Sequence, residues 1–137
     1  MSESRIRKYG PQVQMHLLDG ERLIEVVFAL ALRSAPKGTQ SGHGPIVGTG
    51  NIAGQLLNDM PARAAGLICI TDRRVLFFST GLKKVKRLWW HIPRETVNEI
   101  VPGQLMFALQ FTDGTQAWFG GGGPDHESLA RALGLAT

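Results

Sequence analysis

The strongest hydrophobic pattern in the chain is a pair of apolar runs on either side of a short polar break, within residues 66–79. The runs cover 67–70 and 75–78, and residues 71–74 separate them. β-Branched and aromatic residues around a polar break are typical of two strands joined by a tight turn. Because both runs are almost continuously apolar, we expect this hairpin to be covered on both faces.

Further strands are predicted on both sides of this hairpin. Residues 21–33 place apolar side chains on two alternating faces. Their Ala, Leu and Glu content also suits a helix, but the Val-Val-Phe centre favours a strand. Residues 85–92 and 100–101 predict two more strands, each followed by a proline. In the first of these, alternation directs Leu88, Trp90 and Ile92 inward and Val85, Arg87, Trp89 and His91 outward.

A second hairpin is predicted at 107–119, around the dipeptide Asp113-Gly114. Asp-Gly between apolar runs is typical of a two-residue hairpin turn. With these two residues as the loop, Leu109 faces Trp118 on the core side of the sheet.

The remaining segments predict helices and loops. Residues 1–10 are expected to form a loose polar arm, and residues 11–18 a short helix. Residues 34–65, rich in Gly, Ser, Thr and Pro at their start, predict a long flexible insertion that includes a short helix within 51–58. Residues 124–135 predict an amphipathic helix that docks on the strands. The fold class is therefore mainly β, an antiparallel sandwich or barrel capped by a terminal helix.

Composition limits the class of protein. A chain of 137 residues is expected to form one domain with its own core. One Cys excludes an intrachain disulfide, and the polar start lacks the apolar region of a signal peptide, so we expect a cytoplasmic protein. A net charge of +4 permits an anionic partner without requiring one.

Four stretches, in this order along the chain, resemble the bacterial pleckstrin-homology-like domains and the related GRAM-type domains. They are LLDGERLIEVV (17–27), TDRRVLFF (71–78), WWHIPRETVNEI (89–100) and FALQFTDGTQAWF (107–119). The resemblance covers residues 11–136 and is interrupted by 34–65. It implies a bent antiparallel barrel of seven strands closed by a C-terminal helix. It also implies binding of lipid headgroups, membranes or protein partners rather than catalysis, with ring oligomers in some members.

The candidate binding surface is a cluster of cations beside a tryptophan, at Lys83, Lys84, Lys86, Arg87 and Trp89. Cations attract anionic lipid, and tryptophan favours the membrane interface. The alternative interpretation is a solvated hairpin in which Trp89 covers the core or a subunit contact. Peripheral attachment to the inner face of the membrane follows from the first interpretation only.

Two further residues are expected to have a structural role at the turn of the first hairpin. The resemblance implies that Arg74 fixes this hairpin. Asp72 is expected to stabilise the turn through a side-chain oxygen. In a meander, this turn and Lys83–Lys84 lie at opposite ends of the strand between them.

No catalytic constellation is apparent. The four histidines have no metal-ligand spacing, and no serine lies in a nucleophile motif, so we expect no metal, no cofactor and no enzyme activity. The preferred function is a binding module for an anionic membrane surface or a protein partner. The alternative is a self-assembling module that uses Val85, Trp89 and exposed strand edges. Nucleic-acid binding ranks third, because the aromatic residues are too few for a base-stacking platform.

Overall fold

The computed structural model describes residues 2–32, 52–57, 60–61, 63–81, 84–103, 105–120 and 125–135. The fold is mainly β, with a helix before and a helix after the strands. The elements in chain order are α1 (Ser2–Gln14), β1 (Leu23–Leu32), α2 (Ile52–Leu57), β2 (Arg63–Thr71), β3 (Arg74–Gly81), β4 (Lys84–Pro93), a 3-10 turn (Arg94–Thr96), β5 (Val97–Gly103), β6 (Met106–Phe111), β7 (Gln116–Gly120) and α3 (Asp125–Leu133).

The seven strands form one antiparallel sheet in the order β4-β3-β2-β1-β7-β6-β5. Every neighbouring pair is consecutive in sequence except β1 and β7, which pair through Leu30 with Gly120 and Leu32 with Trp118. The predicted seven-stranded antiparallel architecture is confirmed, but strand pairing does not close the barrel. Among the described residues, β4 and β5 remain the two edges of the sheet.

One face of the sheet encloses the larger core. Phe119 lies at its centre, with ring centroids 5.7 Å from Phe77 and 5.5 Å from Phe107. Helix α3 adds Leu129 and Leu133 to this core. Helix α3 ends in a Schellman motif, in which Gly134 at φ +73° lets the chain turn back and Leu135 N–H donates to Ala130.

Helix α1 covers the opposite face of β1–β4. Tyr9 and Val13 are buried there in a second cluster. The strand residues of this cluster are Val26, Leu67, Cys69, Leu76 and Phe78. The prediction that the first hairpin is covered on both faces is therefore confirmed. Burial also raises the pKa of the Cys69 thiol, which disfavours the reactive thiolate.

The prediction of a loose arm over 1–10 was wrong, because α1 begins at Ser2. Ile6, Tyr9 and Val13 recur at spacings of three and four residues, which places them on one helical face. This apolar stripe crosses Pro11, which lies inside the helix. Because proline suits the first turn of a helix, the sequence predicts a helix that starts at Pro11. Burial of the apolar stripe instead stabilises the helix on both sides of Pro11.

The second hairpin has a three-residue loop, so the predicted two-residue turn was wrong. Phe111 N–H donates to Thr115, and Gly114 N–H donates back to Phe111. Gly114 has φ +87°, as in a type I turn followed by a left-handed residue. The extra loop residue shifts the register by one, so Leu109 pairs with Ala117 and Trp118 pairs with Ala108.

Residues 34–65 contain more structure than the predicted flexible insertion, although 33–51, 58–59 and 62 lie outside the described residues. Helix α2 lies within the predicted 51–58, and β2 already begins at Arg63. Asp113 Oδ2 accepts Ile52 N–H at 2.8 Å. Burial opposes ionisation of Asp113, but hydrogen bonds from Thr115 and from backbone N–H groups hold its pKa below the ordinary value.

The docking of α1 can be tested with one matched pair of substitutions. Tyr9→Ala removes a ring that is 3% exposed, and we expect a loss of about 3 kcal/mol in the free energy of unfolding. Met15→Ala removes a side chain that is 84% exposed, and should change stability by less than about 0.5 kcal/mol. Urea unfolding measures both. Equal effects would show that residues 1–10 form an arm that does not pack on the sheet.

Candidate functional site

The predicted basic cluster lies on β4, an edge strand of the sheet. Lys84, Lys86 and Arg87 are exposed, and Lys83 lies outside the described residues. No carboxylate of the described residues pairs with Lys84 or Lys86. Strand β4 itself contains no acidic residue. Its charge is therefore available to an anionic partner.

Two β-bulges interrupt the pairing of β4 with β3. Phe77 pairs with Trp90 but Phe78 pairs with Leu88, so Trp89 is an extra residue on β4. The second irregularity lies between the pairs Ser79–Arg87 and Thr80–Val85, and Lys86 is the extra residue there. Each bulge bends the strand and increases its twist.

The bulge at Trp89 overturns the predicted faces of β4. Strict alternation directs Leu88 to the face of Trp90 and Ile92, and Trp89 to the other. Instead, Leu88 packs against the α1 cluster, while Trp89 packs against the larger core together with Trp90 and Ile92. One additional residue shifts the side chains before it by one face, until the second bulge at Lys86 shifts them back, so that Val85 keeps its predicted outer face.

Trp89 is half-buried and supports a neighbouring cation. The Arg87 guanidinium carbon lies 4.3 Å from the Trp89 ring centroid, a cation–π contact. The indole Nε1 of Trp89 is buried without an acceptor in the described part of the chain. Trp89 is therefore a platform beneath Arg87 rather than a freely exposed ring.

Helix α1 fixes the start of β4. Gln12 Oε1 accepts the Val85 N–H at 2.8 Å, and the Val85 side chain packs against the α1 cluster. Lys86 lies across Gly81, where a Cβ would come within 2.3 Å of the Lys86 Cε atom. Gln12 of α1 and Gly81 of β3 thus contact Val85 and Lys86, the two central residues of the exposed basic segment 84–87.

Arg74, predicted to be structural, lies at the opposite end of β3 from the basic cluster. Its Nε donates to Glu21 Oε2 at 2.9 Å and its Nη2 to Glu21 Oε1 at 2.6 Å. The Glu21 side chain is fully buried and that of Arg74 is 13% exposed. The two form a bidentate ion pair, the arrangement for which a guanidinium is best suited. Sequence reasoning did not identify Glu21 as the partner of Arg74, because 53 positions separate the two residues.

The same carboxylate organises the chain on both sides of the pair. Glu21 Oε1 accepts Leu18 N–H at 2.8 Å, and Glu21 Oε2 accepts the Thr71 hydroxyl at 2.6 Å. The hydrogen bond from Arg74 is the main reason that the pKa of Glu21 is lowered to about 2, against the opposing effect of burial. Glu21 in turn raises the pKa of Arg74.

Thr71, rather than the predicted Asp72, stabilises the turn of the first hairpin. The Thr71 hydroxyl oxygen accepts Arg73 N–H at 3.0 Å and Arg74 N–H at 2.8 Å. Asp72 Oδ1 instead accepts Arg22 N–H at 2.9 Å, and Asp72 N–H donates to the Arg22 carbonyl. Asp72 therefore joins the turn to the residues that precede β1.

Arg94 extends these contacts to the C-terminal helix. Its Nη1 donates to the Thr71 carbonyl and its Nη2 to the Ala132 carbonyl, each at 2.7 Å. The Arg94 backbone N–H also donates to the Arg73 carbonyl. We call Glu21, Thr71, Asp72, Arg74 and Arg94 the turn network. It is a structural assembly at the end of β3 remote from Lys84.

No group of three potential metal ligands occurs among the described residues. No helix in the described segments is long and apolar enough to cross a membrane. The chain matches no model of a known protein family and no curated protein. A solved structure, the C-terminal domain of an unknown protein from Leishmania infantum, is similar at 10% identity and a TM-score of 0.49, over 96% of this chain and 95% of that one.

The turn network predicts acid sensitivity. Glu21 contributes fully to the free energy of unfolding above its ordinary pKa of 4.5. This contribution is lost as the pH falls toward the folded-state pKa of about 2, because only the unfolded chain binds the proton in that interval. We expect Glu21→Gln to cost about 3 kcal/mol at neutral pH, since it leaves the Arg74 charge unpaired. It should also flatten the pH dependence of stability in that interval.

Urea unfolding from neutral pH down to the acid limit measures both effects. The exposed Glu127→Gln serves as the control and should retain the slope of the unmodified chain. An unchanged slope in Glu21→Gln would contradict the assignment of acid sensitivity to the turn network.

Proposed function

We propose that the chain is a non-catalytic binding module that docks on an anionic membrane surface through the basic end of β4. The observation that carries the proposal is that Lys84, Lys86 and Arg87 are all exposed in a stretch of four residues on β4, an edge strand that contains no acidic residue. Each lysine or arginine near an anionic leaflet contributes about 1 kcal/mol of attraction. Lys83 adds a fourth cation to this segment of the sequence.

The form of β4 supports a surface contact. The bulge at Lys86 adds a residue where the cations are concentrated, and the second bulge turns Trp89 inward beneath Arg87. The Trp89 ring limits the freedom of the guanidinium, which lowers the entropy lost when Arg87 meets a phosphate. In this proposal Trp89 acts mainly by positioning Arg87.

The resemblance to pleckstrin-homology-like domains adds independent support. Seven antiparallel strands followed by a C-terminal helix are the architecture that the resemblance implies. Many such domains bind membranes. In this proposal the protein is cytoplasmic and acts at the inner face of the membrane. Because fold does not determine function, the basic segment remains the main argument.

The alternative functions have less support. Self-assembly through Val85 and Trp89 requires side chains that already pack against the two cores. Nucleic-acid binding requires exposed aromatic rings for base stacking, whereas Trp90 is buried and Trp89 is half-buried.

Liposome cosedimentation tests the membrane proposal. We expect the chain to bind vesicles of phosphatidylcholine with phosphatidylserine, and not vesicles of phosphatidylcholine alone. Added salt should weaken binding, because the contact is electrostatic. Lys84→Glu/Lys86→Glu should reduce the partition coefficient by at least about tenfold.

The matched control is Arg7→Glu/Arg63→Glu, which makes the same change in net charge at two exposed positions outside β4. It should retain most of the binding. Equal losses of vesicle binding in the two variants would show that the net charge of the protein, rather than this surface, causes the binding. Absence of binding at low salt would refute the proposal.

A further inference from the structure

A groove lies between strand β5 and helix α3, on the edge of the sheet opposite to the basic segment. Its volume is about 610 Å³, within the range of ligand sites. Half of its lining comes from β5, and the other half comes from α3 and Leu135 beyond its end. The residues are Asn98, Glu99, Ile100, Pro102, His126, Glu127, Ala130 and Leu135.

One wall of the groove is an unpaired strand edge. Strand β5 pairs with β6 on one side and, in the described part of the chain, with no strand on the other. Such an edge offers backbone N–H and C=O groups to an added strand. The pairing of β5 with β6 has a register shift between Val97 and Glu99, and Pro102 has no N–H to donate, so the regular part of β5 is the short segment between them. A short extended segment therefore fits this edge better than a long strand does.

The side chains of the groove define the occupant further. Ile100, Ala130 and Leu135 provide an apolar surface, and the exposed Glu99 and Glu127 provide two negative charges. No lysine or arginine is among the lining residues. An aliphatic side chain with a neighbouring cation would complement both features.

We infer that this groove binds an extended basic peptide segment of a partner protein, as an added strand beside β5. An aliphatic side chain of the segment packs on Ile100 and Leu135, while a lysine or arginine near it pairs with Glu99 or Glu127. Backbone hydrogen bonds to β5 provide affinity, and the two kinds of side chain provide specificity. This site is separate from the basic segment of β4, so it goes beyond the membrane proposal.

A second copy of the chain is a poorer occupant than a basic peptide. Two β5 strands placed edge to edge would bring Glu99 and Glu127 of both copies to one interface. Like charges that face each other across a strand pair are destabilising. Strand β5 has no lysine or arginine to offset them.

A fluorescent hexapeptide that alternates lysine and valine tests the inference, with a glutamate–valine hexapeptide as its counterpart. We expect the lysine peptide to raise fluorescence anisotropy on titration and to shift backbone amide signals of β5 and α3 in NMR spectra. The glutamate peptide should do neither. Two further lysine peptides are N-methylated at alternate amides, one at the odd and one at the even positions. One of the two should bind at least about tenfold more weakly, because its methyl groups block the hydrogen-bonding edge that faces β5.

Charge reversal on the protein provides the second arm. Glu99→Lys/Glu127→Lys should weaken binding of the lysine peptide by at least about tenfold. Asp19→Lys/Glu95→Lys makes the same change in net charge at exposed positions outside the groove and should retain binding. Both variants alter surface side chains, and circular dichroism verifies that each is folded.

Several results would overturn the inference. They are absence of binding at peptide concentrations up to about 1 mM, equal affinity for all N-methylated forms, and signal shifts confined to β4. Self-association detected by light scattering, together with concentration-dependent shifts of the β5 amide signals, would identify a second copy as the occupant instead. Because the liposome assay probes the other edge of the sheet, either proposal can fail without the other.

Discussion

The buried ion pair between Glu21 and Arg74 is the interaction on which the arrangement of the fold depends. A carboxylate with no exposed surface is costly unless it is paired and fully hydrogen-bonded, and Glu21 meets both conditions through Arg74, Thr71 and Leu18. The pair joins the chain before β1 to the turn between β2 and β3. Arg94 then connects this turn to the last turn of α3. Removing either charge would leave the other buried alone, so the network acts as one unit.

The sheet around this network is covered unevenly, and this creates its surfaces. Helix α1 covers the outer face of β1–β4, and α2 and α3 contribute to the core on the other face. The two edges stay open among the described residues and differ in charge. Strand β4 has cations without an acid, and β5 has Glu99 without a cation. An unpaired strand edge promotes aggregation, which charged side chains and bulges oppose. The same charges make β4 and β5 complementary to different partners.

Local patterns predicted much of the secondary structure. The paired apolar runs of the first hairpin, the alternating segment of β1 and the amphipathic α3 appear at the expected places. The errors occur where one residue changes the geometry. The third loop residue of the second hairpin shifts its register, and the bulge at Trp89 reverses the expected faces of Leu88 and Trp89. Neither irregularity changes the local hydrophobic pattern enough to be detected, because β propensity is the same with or without an added residue.

The number and type of most elements, the burial of both faces of the first hairpin and the position of the cations follow from local periodicity and composition. Which groups meet, by contrast, depends on how the elements pack in three dimensions. The partner of Arg74 is 53 residues away, the stripe of α1 becomes helical because β1–β4 cover it, and the β5–α3 groove joins segments from two parts of the chain. The physical reason is that hydrogen bonds and ion pairs between distant residues leave no periodic trace. The first hairpin retains the central place that its pattern indicated, but the buried carboxylate of Glu21 fixes its turn to the rest of the molecule.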